Sequence, residues 1–370
     1  MSQQLNIFAQ QPDDDEDDVF FRRPAEPARP RLAAVQAVLA APTPAPAANR
    51  ETRRAAKKEA KRAAKKEAKP VNRYPLPRRN PHRAAQHIAE AVADAWHRNH
   101  GGGRMDIPVG LVAALALLPW KGPDAPLLAD RVLGLDARDL VGLLRECWAY
   151  WWIQRPDLVH RAGPIARWTE EDLSDHHLSC VKAVARAAIT NGLLTLTGSS
   201  DPGELAECDL MSWTITGLRS HVDRKWLGEY HTPPEICELM ARVQLGDPSE
   251  VGPDFSVLEP TAGTGGLVRA TAQVMREHRL DPGDYRWHLV ELDQISAAGA
   301  AVNMLLWGMG PRTTVWCGNS LAPVDTAKLA EQEKAEVFEH RERLKMVAAM
   351  IAAVSEAERL IAGVYGEKAA

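Results

Sequence analysis

The sequence predicts an α/β fold over about residues 225–321, a truncated doubly wound parallel sheet preceded by an all-helical domain. Three observations predict it. Two short apolar runs, FSVLE at 255–259 and WHLVE at 287–291, each end in an acidic residue. Between them a small-residue turn with Gly263, Gly265 and Gly266 leads into a helical pattern that opens at Leu267. At the carboxyl end of a parallel strand, such a turn lets backbone approach a ligand closely, with the following helix aimed at it by its N-terminus.

Length and composition set the frame. The 370 residues allow about two ordinary domains plus tails. A hydrophobic content of 45% with 25% charged residues is that of a soluble globular protein. The five cysteines, Cys147, Cys180, Cys208, Cys237 and Cys317, include no CxxC pair. That pattern indicates neither a metal site nor a disulfide framework, and points to reduced thiols in a cytoplasmic protein. The acidic N-terminus argues against a secretory signal. The most apolar run, Val109 to Trp120, falls short of the ~20 residues that span a bilayer, so no membrane partner is expected.

In chain order, residues 1–80 read as a disordered, charged arm. They hold an unbroken acidic block at 13–18 and an Ala/Pro stretch at 42–48. The repeat RAAKKEAK at 54–61 and 62–69 predicts a solvated basic helix, stopped by Pro70. Two roles fit it: a nucleic-acid-contacting arm that displaces counterions from phosphates, or a charged linker. Tyr74 to Arg79 reads as an extended connector.

Residues 81–224 read as a helical domain. Ile88, Val92 and Trp96 mark one face of a helix over 84–97, which the glycines at 101–103 end. Asp136 is a candidate N-cap for a helix carrying Leu140, Leu143, Leu144, Cys147, Trp148, Trp151 and Trp152 at core spacing, with Pro156 as its stop. A further helix is predicted over 178–191, ended by Gly192, and His176 and His177 read as surface residues before it.

The segment 225–321 carries the motifs. In GEYHTPPE (228–235), Thr232 precedes Pro233 and Pro234, and Pro234 suits the first position of a helix with Ile236, Leu239, Met240 and Val243. Glu291 closes the second strand, where a carboxylate can accept both hydroxyls of a ribose. A helix follows over 296–307, and TTVWCGNSL (313–321) reads as a third strand ending at Asn319.

EYHTPPE, LEPTAGTGG, VELD and CGNSL, in this order and spacing, resemble the motifs of the N6-adenine DNA methyltransferase family, in particular the modification subunits of type I restriction systems. The resemblance covers about residues 209–321 and implies a Rossmann-like fold, S-adenosylmethionine as cofactor and DNA as partner. It implies that Thr232 holds the methionine carboxylate. Glu259, Pro260, Ala262, Gly263, Thr264 and Gly265 surround the methionine moiety, Glu291 takes the ribose hydroxyls, and Asn319 meets the adenine amino group. Two departures accompany it. The family usually has Asp where Asn319 stands, and the catalytic Asp/Asn/Ser-Pro-Pro-aromatic tetrapeptide, which grips a flipped base, is absent after Leu321. No catalytic residue is therefore assigned. A second polypeptide is expected to supply base handling and target recognition; the alternative is a non-catalytic DNA-associated adaptor.

Residues 322–370 form the last segment. Residues 330–362 contain no proline and no glycine, the next glycine being Gly363, and Val337, Leu344 and Ile351 repeat every seven residues, as do Val347, Val354 and Ile361. This predicts a long amphipathic helix, read either as a coiled-coil seam or as a cover over the edge of the sheet.

Overall fold

The computed structural model describes residues 80–100, 103–119, 125–219, 232–246, 251–252 and 254–366. These fall in a single unit, Lys69–Ala370. The acidic block, the Ala/Pro stretch, the basic repeat, the 74–79 connector, Gly101 and Gly102, and residues 228–231 of the threonine-proline motif lie outside the described residues.

The helical part grows from its caps. Asn80 opens α1 (Pro81–His100) by accepting the Arg83 N–H at 3.0 Å, and Ile88, Val92 and Trp96 are all buried along its inner face. The apolar run lies in α2 (Asp106–Ala116), where every residue from Ile107 onward is buried, so its hydrophobicity serves a core. Among the described residues no helix is long and apolar enough to cross a membrane. Its Gly110 is fixed by contact: an added Cβ would stand 1.6 Å from the Ile165 carbonyl oxygen.

After α3 (Ala125–Gly134), Asp136 caps α4 (Ala137–Gln154) by accepting the Asp139 N–H at 2.8 Å. Leu140, Leu144, Cys147 and Trp148 are buried there, while Leu143, Trp151 and Trp152 pack at the margin. Pro156 does more than stop this helix. It takes the first position of α5 (Pro156–Arg161), followed by α6 (Gly163–Ala166). Ser174 caps α7 (Asp175–Thr190), and Gly192 at φ +95° ends it; His176 is exposed and His177 meets the capping serine. Short helices α8 (Leu193–Leu196) and α9 (Pro202–Leu205) lead to α10 (Leu210–Leu218), which packs with α7 against α1.

The α/β part begins with α11 (Pro234–Leu245), with Pro234 at its first turn as expected. It continues through β1 (Ser256–Glu259), α12 (Gly266–Glu277), β2 (Arg286–Glu291), α13 (Gln294–Leu306), β3 (Thr313–Cys317) and α14 (Thr326–Gly366). The three strands are parallel in the order β1-β2-β3. The third strand stops at Cys317, so Asn319 lies in the turn beyond it. Register places Val257, Trp287 and Thr313 in one row and Leu258, His288 and Thr314 in the next. Alternate residues face opposite sides of the sheet. Trp287, Leu289 and Val315 therefore enter the core, which runs without a break into the helical part through α13.

The two edges of the sheet differ. At β3, the Arg155 guanidinium donates to the Gly310 and Thr313 carbonyls at 2.7 and 3.2 Å, and Arg161 donates to the Val315 carbonyl at 2.9 Å. Arginine side chains thus satisfy carbonyls that an edge strand would leave bare, and α14 lies alongside. At β1, Leu258 is 62% exposed, and among the described residues no strand pairs beyond it. The expected cover by α14 is therefore restricted to the β3 side.

His288 ties β2 to its neighbours, with Nδ1 2.8 Å from Thr314 Oγ1 and Nε2 3.2 Å from Thr326 Oγ1. Burial lowers its pKa below the ordinary 6.5, and the same cause lowers that of His82. Both imidazoles are thus neutral in the fold, and their contribution is present above the unfolded value and lost as pH falls through the lowered folded values. Urea midpoints are expected to drop as pH falls below the ordinary 6.5 toward the lowered folded values. Replacing His288→Gln should flatten part of that dependence.

Candidate functional site

The loop between β1 and α12 is built by hydrogen bonds from three directions. From the side, Glu291 at the end of β2 accepts the Gly263 N–H through Oε2 at 2.7 Å and the Asp293 N–H through Oε1 at 2.8 Å. From the strand behind, the Val290 carbonyl accepts the Ala262 N–H at 2.9 Å. From beneath, the Asp209 carboxylate accepts Thr264 Oγ1–H at 2.7 Å and Asn303 Nδ2–H at 2.8 Å, and the same Asn303 amide donates to the Thr264 carbonyl at 2.8 Å. Asp209, Thr264 and Asn303 are buried. Asp209 also caps α10 by accepting the Ser212 N–H at 2.8 Å, so one carboxylate joins the helical part to the loop.

The two loop glycines have separate reasons. Gly265 at φ +95° faces inward, where an added Cβ would lie 3.0 Å from the Met304 methyl and 3.3 Å from the Trp307 ring. Gly263 at φ +54° faces open space, with nothing within 4 Å of an added Cβ. The loop is thus packed on one side and accessible on the other. Gly265 is also the N-cap of α12 and offers no side-chain acceptor, which leaves the first N–H groups of α12 without a side-chain cap.

The other residues singled out in the sequence gather around this loop to different degrees. Glu259 is half-buried and folds back on Thr261, accepting its N–H at 3.2 Å and its hydroxyl at 3.3 Å. Pro260 is exposed beside it. Thr232 is exposed one turn before Cys237, whose Sγ lies 3.7 Å from the Thr232 carbonyl and 3.7 Å from the position of a Cβ on Gly266. This brings the threonine-proline segment toward the start of α12. The third strand joins through Gly318, whose N–H donates to the Glu291 carbonyl at 2.9 Å. Asn319 is exposed, and its side-chain oxygen accepts the Leu321 N–H at 2.9 Å.

Thiols near the site are protonated. Burial pushes Cys317 and Cys237 up, and it pushes Cys208, next to Asp209, up to about 12. None is a nucleophile at neutral pH. Beside the loop an open groove of about 280 Å³ runs between α11, β1 and α12, lined by Met240, Gln244, Leu258, Glu259, Leu267 and Thr271. The outward face of α11 continues it, for Ile236, Leu239 and Val243 are exposed while Cys237, Ala241 and Leu245 are buried.

Residues 215–338, which hold this loop and all three strands, match the family model described as N-6 DNA Methylase. This segment belongs to that family. The methylase segment starts within α10 and ends within α14. Among solved structures, the chain is similar to the type I restriction-modification system methyltransferase subunit from Streptococcus thermophilus, at 15% identity and a TM-score of 0.32. The similarity covers 64% of this chain and 58% of that one, so the chain spans little more than half the length of that subunit. A comparison with curated proteins finds no match.

Asp209 and Asn303 were not singled out in the sequence. Asp209 is legible as a helix cap, three residues before Ser212, but its reach to Thr264 across 55 residues is tertiary. Asp209→Ala is expected to cost about 1–3 kcal/mol in urea unfolding, because it strands buried donors and uncaps α10. Gly265→Ala should cost more than Gly263→Ala in the same assay. Both replacements meet the strain of positive φ, about 1 kcal/mol or more, but only the first also meets packed side chains.

Proposed function

We propose that the methylase segment binds S-adenosylmethionine at the carboxyl ends of its three strands and belongs to an enzyme that methylates adenine N6 in DNA. The observation that carries this reading is the Glu291–Gly263 hydrogen bond, which holds a glycine turn open toward the acid that ends the next strand. The residues present fit the cofactor chemically. A carboxylate has about four lone-pair sites, and the two N–H bonds to Glu291 leave capacity for both ribose hydroxyls. The start of α12 and Thr232 suit the methionine carboxylate. Glu259, Pro260, Ala262, Gly263, Thr264 and Gly265 form the wall around the methionine moiety, and Asn319 lies where the third strand would present an acceptor to the adenine amino group. The cofactor supplies an electrophilic methyl group; the chain's part is to orient it and exclude competing water.

On this reading the sheet is the first half of a Rossmann-like fold, with residues 81–224 as its helical support, 225–321 as the cofactor-binding domain and 322–370 as an appended helix. The 370 residues contain no Pro-Pro-aromatic tetrapeptide. On this reading base handling and target recognition come from a polypeptide segment outside these 370 residues. Its place is the edge of β1 that no described strand pairs, where Leu258 and the exposed face of α11 offer an apolar surface and a row of main-chain groups.

Calorimetry with S-adenosylmethionine is expected to give saturable one-to-one binding, weakened by about tenfold or more in Glu291→Ala. No saturable binding, or binding unchanged in that variant, overturns the site assignment. The chain alone is expected to transfer no methyl group to DNA, and transfer in its absence of partners overturns the split of labour.

A further inference from the structure

The far end of α14 is apolar and bare. Every residue from Lys345 to Ile361 is exposed, yet residues 346–354, MVAAMIAAV, carry no charge. The large apolar side chains between Met346 and Ile361 are 44% to 66% exposed. The near end is fastened: Ala330 is buried, Glu333 pairs with Arg161, the Lys334 ammonium donates to the Pro311 carbonyl at 2.6 Å, and Arg341 donates to the Ile153 carbonyl at 3.0 Å. A helix apolar on nearly every side belongs in a core, and helices draw most of their stability from packing.

The bare end has an internal symmetry. Val347, Met350, Ile351 and Val354 share one face by their i, i+3, i+4, i+7 spacing. The point between Met350 and Ile351 relates these two to each other, and relates Val347 to Val354. The same point relates Arg343 to Glu358, which continue the same face four residues beyond either valine. These two side chains have opposite charge. Laid antiparallel about that point, two copies set valine on valine, Met350 on Ile351, and Arg343 against Glu358 at both ends. A parallel pair would set arginine on arginine and glutamate on glutamate, which disfavours it. Arg343 meets Glu339 at 2.8 Å within its own helix, but an exposed pair of this kind is worth little and does not hold it back.

We propose that the Lys345–Ile361 end of α14 docks on the same segment of a second copy of this chain, antiparallel about a two-fold axis between Met350 and Ile351. The contact is isologous and closes as a dimer. It lies apart from the strand ends, so it is independent of cofactor binding.

Sedimentation equilibrium of the full chain over about 1–100 µM tests it, since the association of protomers depends on concentration. A dimer is expected, and Ile351→Glu should weaken it by about tenfold or more. Arg343→Glu should weaken it by a smaller factor, and adding Glu358→Arg in the same chain should restore it. All these positions are exposed and lie beyond the last fastened turn, so urea midpoints measured at protein concentrations too low for association should stay unchanged. A monomer throughout that range overturns the proposal, as does a dimer indifferent to Ile351→Glu, which would place the contact elsewhere. Strengthening by Arg343→Glu, or failure of the double variant to restore association, overturns the antiparallel arrangement.

Discussion

The Gly263 N–H donates to Glu291, and Thr264, the next residue, donates from its side chain to Asp209. These two bonds point away from the loop in different directions, one into the sheet and one into the helical part. A turn with two positive-φ glycines has much backbone freedom to lose, and each anchored neighbour removes part of it. The loop is therefore held in shape by residues on β2, α10 and α13, and none of these can shift without loosening it. This explains why the core passes from helices to sheet without a break: Asn303 on α13 touches both Asp209 and the Thr264 carbonyl, so the support and the site are one hydrogen-bonded unit.

The sheet built around that unit is finished on one side only. Arg155 and Arg161, from the ends of α5, satisfy carbonyls of the β3 edge, and the fastened half of α14 lies over them. Those arginines are held in turn by carboxylates: Asp157 takes two bonds from Arg155, and Glu333 pairs with Arg161. Around Glu333, burial opposes ionisation, but His160 and Arg161 outweigh it and keep the carboxyl below its ordinary value. Among the described residues no comparable device stands at β1. A parallel sheet ordinarily has both faces covered, and the exposed Leu258 in the row of His288 shows that cover stopping short. The contrast between a blocked edge and an open one within the same three strands is what favours addition of a further strand at β1.

Local signals were legible in the sequence and tertiary ones were not. The cap at Asp136, the stop at Gly192, the proline start of α11 and the strands ending at Glu259 and Glu291 each follow from a few adjacent residues. Asn319 was read as the end of a strand because the apolar alternation of TTVWC runs on without a breaker until Gly318; the strand stops at Cys317, and Gly318 makes the last bond to β2, at the Glu291 carbonyl. The apolar residues of α11 show the limit most plainly. Ile236, Leu239 and Val243 have the spacing of a core face, yet the helix buries Cys237, Ala241 and Leu245 instead, because small side chains let it approach α12 closely. Periodicity says that a face is apolar; it does not say whether this chain or another covers it.

The same ambiguity governs α14, and there the resolution lies in charge. An apolar helix face is indifferent to what covers it, since dispersion and desolvation carry no direction. Direction comes from the residues that flank it. Around β1 the flanking groups are main-chain donors and acceptors, which ask for an extended strand of any sequence with suitable side chains. Around Met350 and Ile351 they are a cation and an anion placed at equal distance on one face, an arrangement that a chain satisfies with its own copy turned end for end. These two surfaces therefore call for different partners, and the distinction rests on what borders each surface rather than on how apolar it is.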